Sequence, residues 1–133
     1  MADDRQRGTI LVVDDNGEVR GFAKWVLEIA GYTVITAADG EEGLRSYEKH
    51  RSSILLLLSD VVMPIVGGFE LAERVLGMDS QVSVVLMSGD GGCDYRSLEY
   101  LAKPFRPTEL IETVGRVLSA NAHSQKTAAQ IAF

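Results

Sequence analysis

Ile54-Leu55-Leu56-Leu57-Leu58-Ser59-Asp60 is the stretch on which the fold turns. Its apolar run, residues 54–58, is far short of the roughly 20 residues needed to span a bilayer. It does not alternate apolar with polar, which is the pattern of a strand covered by helices on both faces. It ends on a hydroxyl and a carboxylate. Working outward, similar short apolar runs occur at Thr9–Val13 and Thr33–Ala37 before it, and at 82–87 and, more weakly, 100–102 after it. The segments between them carry helical spacing. Strand–helix alternation of this kind predicts an α/β domain built on a parallel sheet.

The intervening helices can be drawn from their caps and stripes. Asp15 or Asn16 caps the first, Glu18 lies in its first turn, and Gly31 ends it. Its inward stripe is read as Val19, Phe22, Ala23, Val26 and Ala30. The second is expected over Gly40–Lys49, with Asp39 as cap and Gly43, Leu44 and Tyr47 facing inward. The third follows Pro64 and carries Phe69, Leu71, Ala72, Val75 and Leu76. The last starts with Pro107 at its first position, with Leu110, Ile111, Val114, Val117 and Leu118 as its stripe. Gly89, Gly91 and Gly92 disfavour helix at the start of 89–99, so a loop with at most a short helical turn is expected there.

The chain divides into an N-terminal extension (1–8), one domain (9–118) and a tail (119–133) that either extends the last helix or is disordered. Its 133 residues are 46% hydrophobic and 24% charged, the balance of an ordinary globular domain rather than a disordered or fibrous chain. The first residues have no apolar stretch of signal-peptide length, and the lone Cys93 has no internal disulfide partner, so a cytoplasmic setting without membrane insertion is expected. Nineteen acidic side chains against thirteen Lys and Arg give a net charge of −6, with no basic cluster, which argues against direct contact with nucleic acid.

In open α/β sheets ligands bind beyond the carboxyl ends of the strands. The first strand is followed by Asp14 and Asp15, the third by Ser59 and Asp60, the fourth by Ser88 and the fifth by Lys103. If the first and third strands are neighbours, three carboxylates converge. Two such charges about 4 Å apart repel by roughly 4 kcal/mol at an effective dielectric near 20, so the cluster calls for a cation. Hard oxygen donors without sulfur or imidazole favour Mg²⁺, with Mn²⁺ as the alternative. A carboxylate nucleophile, a divalent metal, a lysine and a hydroxyl form a set suited to phosphoryl transfer, with Asp60 as nucleophile.

These residues resemble the receiver domain of two-component response regulators. The resemblance is carried by Leu11-Val12-Val13-Asp14-Asp15-Asn16, Asp39-Gly40-Glu41-Glu42, Leu58-Ser59-Asp60-Val61-Val62-Met63-Pro64, Gly68-Phe69-Glu70-Leu71, Val85-Leu86-Met87-Ser88-Gly89 and Tyr100-Leu101-Ala102-Lys103-Pro104-Phe105. It implies a (βα)5 flavodoxin-like three-layer sandwich with a parallel five-stranded sheet of order 2-1-3-4-5. It implies that Asp60 is phosphorylated by a histidine kinase or histidine phosphotransfer protein, and that Asp14, Asp15, Asp60 and the backbone carbonyl of Val62 hold Mg²⁺. Ser88 and Tyr100 would be the switch residues, Lys103 would pair with Asp60 or its phosphate, and the bond before Pro104 would be cis. The chain would then be a signalling switch that catalyses only its own phosphorylation and dephosphorylation, as a monomer or weak dimer.

Three departures bear on this expectation. Gly67 stands where an aspartate is common, and Val62 is apolar where many members carry a side chain that modulates hydrolysis. Ser88 and Lys103 are only 15 positions apart, which shortens the fourth helix and is similar to receivers associated with hybrid histidine kinases. A rival reading as a Mg²⁺-dependent phosphatase needs a second acid two residues after the nucleophile, where Val62 stands. A pseudo-receiver that only binds partners would not need the intact set Asp14, Asp15, Asp60 and Lys103. On the first helix Gly21, Trp25 and Ile29 flank the inward stripe and form a candidate patch for partner docking. His50, His123 and Cys93 lie away from the strand ends.

Overall fold

The structure, a computed structural model, describes residues 7–89 and 98–131, with side chains as far as residue 121. In chain order its elements are β1 (Thr9–Val13), α1 (Gly17–Ile29), β2 (Thr33–Ala37), α2 (Gly40–Lys49), β3 (Ile54–Asp60), α3 (Gly68–Met78), β4 (Ser83–Ser88), β5 (Glu99–Ala102) and α4 (Pro107–Ile131). All four strand pairings are parallel and the order is β2-β1-β3-β4-β5. β3 is the central strand, as its unbroken apolar run requires.

Residues alternate between two faces of the sheet, and each face has its own core. Ile10, Val12, Leu56, Leu58, Val85 and Met87 pack with Ala23, Val26 and Leu27 of α1 and Leu110 and Val114 of α4. Leu11, Val13, Leu57, Val84 and Leu86 pack with Tyr47 of α2 and Leu71, Ala72 and Val75 of α3. A strand read as uniformly apolar is thus two period-2 patterns superposed. Each fully buried leucine contributes about 2 kcal/mol relative to an exposed one.

Local signals set the element ends. Asn16, not Asp15, caps α1, its side-chain oxygen accepting from the backbone N–H groups of Glu18 (2.9 Å) and Val19 (3.3 Å). Asp39 caps α2 by accepting from Glu42 N at 2.8 Å, and the Glu42 carboxylate accepts in turn from Ala38 N at 3.2 Å. Gly31, at φ +102°, takes the positive φ that lets the chain leave α1 for β2.

Two sequence readings need correction. Leu55 is not covered: it is 46% exposed. Between β1 and β3 the register steps from Thr9↔Ile54 to Ile10↔Leu56, so Leu55 is the extra residue of a bulge and turns outward. On α1, Phe22 is 36% exposed, whereas Leu27, outside the stripe drawn from the sequence, is fully buried. The centre of the buried face lies between Ala23, Val26 and Leu27, which puts Phe22 at its rim. Smaller shifts lengthen β3 by Ser59 and Asp60, start β5 at Glu99 and move β4 one residue on. The expected shortened helix before β5 falls on 90–97, outside the described residues.

Candidate functional site

The polar ends of four strands meet at the carboxyl edge of the sheet. Val13 is in register with Ser59, Asp60 with Met87, and Ser88 with Ala102, so Asp14, Asp60, Ser88 and Lys103 lie in sequence across neighbouring strands. Carboxylate oxygens of Asp14, Asp15 and Asp60 all lie within 4.8 Å of one another. Asp14 is fully buried and Asp15 exposed, so the cluster opens outward through Asp15.

Asp14 is held at every polar atom. Its N–H donates to the Ala37 carbonyl (3.2 Å), its carbonyl accepts from Arg20 Nη1 (2.7 Å), Oδ1 accepts from Asn16 N (2.8 Å) and Oδ2 accepts from Lys103 Nζ (2.9 Å). Lys103 Nζ also lies 3.2 Å from Asp60 Oδ1, so one ammonium bridges both carboxylates. Its backbone N–H donates to the Ser88 carbonyl at 2.9 Å, and the Lys103–Pro104 bond is cis. Burial and the neighbouring Asp14 carboxylate push the Asp60 carboxyl above its ordinary range, against the opposing pull of Lys103. For Lys103 burial works against the charge, but hydrogen bonds and attraction from Asp14 and Asp60 outweigh it and raise the ammonium above the usual lysine value.

The loop after Asp60 is tightly stapled. Val61 N–H donates to Met87 O (3.0 Å) and Gly68 N–H to Val61 O (2.9 Å). A Cβ on Gly68 would sit 2.2 Å from the Asp60 carbonyl, so only glycine permits this approach. Met63 and Val66 are buried, while Val62 and Ile65 are 75% and 85% exposed. Val66 N–H donates to Pro64 O at 2.8 Å across Ile65, whose φ of +68° makes this the strained form of γ-turn.

Ser88 is half-buried at the end of β4. The half-buried Tyr100 sets its ring edge-on to Phe69, centroids 6.5 Å apart. On α1, Trp25 and Ile29 are 60% and 66% exposed and Gly21 has open space beside it. At about 100° per residue, Phe22, Trp25 and Ile29 share an arc of about 60°. Phe22 also contacts Phe105 (5.9 Å) and lines a groove of about 340 Å³ with Glu18, Val19, Lys103 and Pro104. The exposed stripe on α1 therefore runs into a groove beside the acidic cluster. His50 stands at the far end of α2. Cys93 and the His123 side chain lie outside the described residues.

Two features escaped the sequence reading. Arg20 reaches Asp14, and its signal was available, because a side chain in a first turn leans back toward the helix N-terminus. At the opposite edge of the sheet, Tyr47 donates to Asp79 Oδ2 (2.7 Å), Arg51 Nε donates to the same oxygen (2.9 Å), and Arg51 Nη2 donates to Met78 O (2.8 Å). Burial, then Asp79, raise the Tyr47 phenol well above its usual range, and Tyr47 and Arg51 lower the Asp79 carboxyl. This group borders a cavity of about 320 Å³ with Ile54, Val82 and Leu118. Nothing in the local sequence links these three residues, which come from α2, the turn after it and the end of α3.

The five-stranded order and the strand-end acids point to one family, and the model of the response regulator receiver domain matches residues 10–115. The chain belongs to that family. A probable transcriptional regulator ycf27 from Pyropia yezoensis is 34% identical over 122 residues, 86% of this chain and 49% of the relative. The chain spans about half the length of the curated relatives it matches. Among solved structures, the receiver domain from the hybrid histidine kinase CckA is 37% identical, with a TM-score of 0.75 over 84% of this chain and 99% of that one. The chemotaxis response regulator CheY4 of Vibrio cholerae is 33% identical, with a TM-score of 0.74 over 83% and 98%. This receiver therefore belongs to two-component signalling, and its fold is of the flavodoxin-like type. Among the described residues no helix is long and apolar enough to cross a membrane.

Proposed function

We propose that this receiver takes a phosphoryl group onto Asp60 from a histidine kinase or phosphotransfer protein and passes the signal on through protein contacts. The observation that carries this reading is the Lys103 ammonium, bridging Asp14 at 2.9 Å and Asp60 at 3.2 Å at the mouth of a three-carboxylate cluster. A carboxylate oxygen of Asp60 attacks phosphorus. As the new O–P bond forms, the donor's P–N bond breaks, and the imidazole leaves with the electron pair and takes a proton from water. Lys103 stays with the phosphorylated Asp60 and balances charge on the transferred oxygens; Ser88, at the adjacent strand end, donates a hydrogen bond to them.

The donor set fits a divalent cation: three clustered carboxylates, all hard oxygen, with one positive charge among them. Asp14, Asp15, Asp60 and the Val62 backbone carbonyl would hold Mg²⁺, or Mn²⁺, which supplies charge neutralisation at the phosphoryl oxygens. Ser88 and Tyr100 serve as the switch, because a phosphoryl group can shift the surface only through contacts that differ between two states. The exposed Gly21, Trp25 and Ile29, continuous through Phe22 with the groove beside Lys103, are the docking surface for the phosphodonor protein.

Incubation with acetyl phosphate and Mg²⁺ tests this directly. A base-labile phosphoryl adduct, lost in Asp60→Asn and on chelation of the metal, is the expected result. Steady turnover of a generic phosphate ester would instead favour a phosphatase, and failure to take up phosphate with the metal present would leave a binding module only.

A further inference from the structure

Of the three clustered carboxylates, two are aimed by side-chain partners and one is not. Asp14 is held by Asn16 and Lys103, and Asp60 by Lys103. Among the described residues no group hydrogen-bonds to the Asp15 carboxylate, which is exposed at the mouth. What the protein fixes of its position is therefore the backbone that carries it. The peptides on either side of Asp15 are each held once: Arg20 Nη1 donates to the Asp14 carbonyl at 2.7 Å, and the Asn16 N–H donates to Asp14 Oδ1 at 2.8 Å. The Asp14 carbonyl oxygen belongs to the planar peptide joining Asp14 to Asp15, so restraining it restrains where the Asp15 Cα, which carries the side chain, is placed. Arg20 is anchored in turn, because its own N–H makes the first backbone bond of α1, to Asn16 O at 3.0 Å.

We infer that Arg20 is a positioning residue for the cation site, acting through the Asp14–Asp15 peptide to aim the Asp15 carboxylate. This rests on the reading that the three carboxylates hold a divalent cation. Arg20 brings a positive charge close to a site for a cation, so its two effects have opposite signs. Removing the charge alone would tighten Mg²⁺ binding, whereas losing the constraint on Asp15 weakens it. The inference is that the constraint dominates, as partners that orient metal ligands typically change affinity by about 10- to 100-fold.

Mg²⁺ titration calorimetry on wild type, Arg20→Ala, Arg20→Gln and Arg20→Lys decides the matter, alongside thermal unfolding of each protein in EDTA. The expected result is a Kd raised about tenfold or more in the Ala and Gln variants and largely restored in Lys, which keeps a donor on a long stem. A Kd that is unchanged or lower in both Ala and Gln overturns the inference, even if their metal-free unfolding temperature falls, since that is what a purely structural contact would produce. A wild-type protein that binds no Mg²⁺ overturns instead the cation reading on which the inference stands.

Discussion

The two edges of the sheet hold polar clusters of similar size and opposite character. At the carboxyl edge three carboxylates face one bridging ammonium, and Asp60 is pushed above its ordinary range. At the other edge the single carboxylate of Asp79 is met by a phenol and a guanidinium, and is lowered. The second cluster is satisfied within itself and ties α2 to α3. The first has more negative charge than the chain neutralises, and that surplus is what the proposed cation and phosphoryl chemistry would use. In this chain the surplus of charge lies at the strand ends to which the proposed chemistry is assigned, and the balanced cluster joins two helices.

The sharpest way to break this comparison is Lys103→Met. It leaves the buried Asp14 beside Asp60 without a cation, so metal-free stability should fall by about 2 kcal/mol after allowance for screening at the pocket mouth. Phosphoryl uptake should drop by about 100-fold, measured with acetyl phosphate. Tyr47→Phe, by contrast, should cost about 1 kcal/mol in urea unfolding and leave phosphoryl uptake unchanged. If both lesions altered uptake, the two edges would not differ as described. Trp25→Ala should slow transfer from a phosphotransfer protein by about fivefold, the effect of losing about 1 kcal/mol at an interface, while acetyl phosphate labelling stays intact.

The opposite pKa shifts sharpen the contrast through pH. A raised carboxylate destabilises the folded state when ionised, so Asp60→Asn should stabilise the metal-free protein by up to about 1 kcal/mol at neutral pH. That gain should shrink as pH falls through the raised Asp60 value. Asp79 is lowered, so its contribution is fully present above the ordinary carboxylate value of 3.8 and is lost only as pH falls below it. Asp79→Asn should therefore be destabilising across the whole range in which the Asp60→Asn gain fades. The smallest effect is expected of Ile65→Gly, which relieves the positive φ at the cost of a freer unfolded chain and should add about 0.5 kcal/mol to stability.

The strands, the caps at Asn16 and Asp39 and the acids at the strand ends were legible because each is a local signal: a run, a spacing, a side chain within a few residues of the backbone group it serves. The family motifs added the cis Lys103–Pro104 bond, which the structure contains. What escaped reading needed contacts between distant segments or a shift of register. Leu55 reads as core in any window of sequence, and only its pairing with β1 reveals the bulge that turns it outward. Phe22 satisfies the helical spacing, yet its burial depends on where the sheet meets α1. Tyr47 and Asp79 are 32 positions apart, and no periodicity relates them.

By itself the chain's order of residues determined a five-stranded parallel fold, the side of the sheet that is acidic and which carboxylate ends the central strand, since these follow from short-range pattern and strand direction. Only the tertiary structure decided that Lys103 bridges Asp14 and Asp60, that Arg20 holds the Asp14–Asp15 peptide and that Trp25 and Ile29 face solvent beside a groove. The physical reason is reach. A hydrogen bond between side chains is made or lost within about an ångström. Packing of whole elements, rather than any local preference, sets distances of that size between residues 89 positions apart.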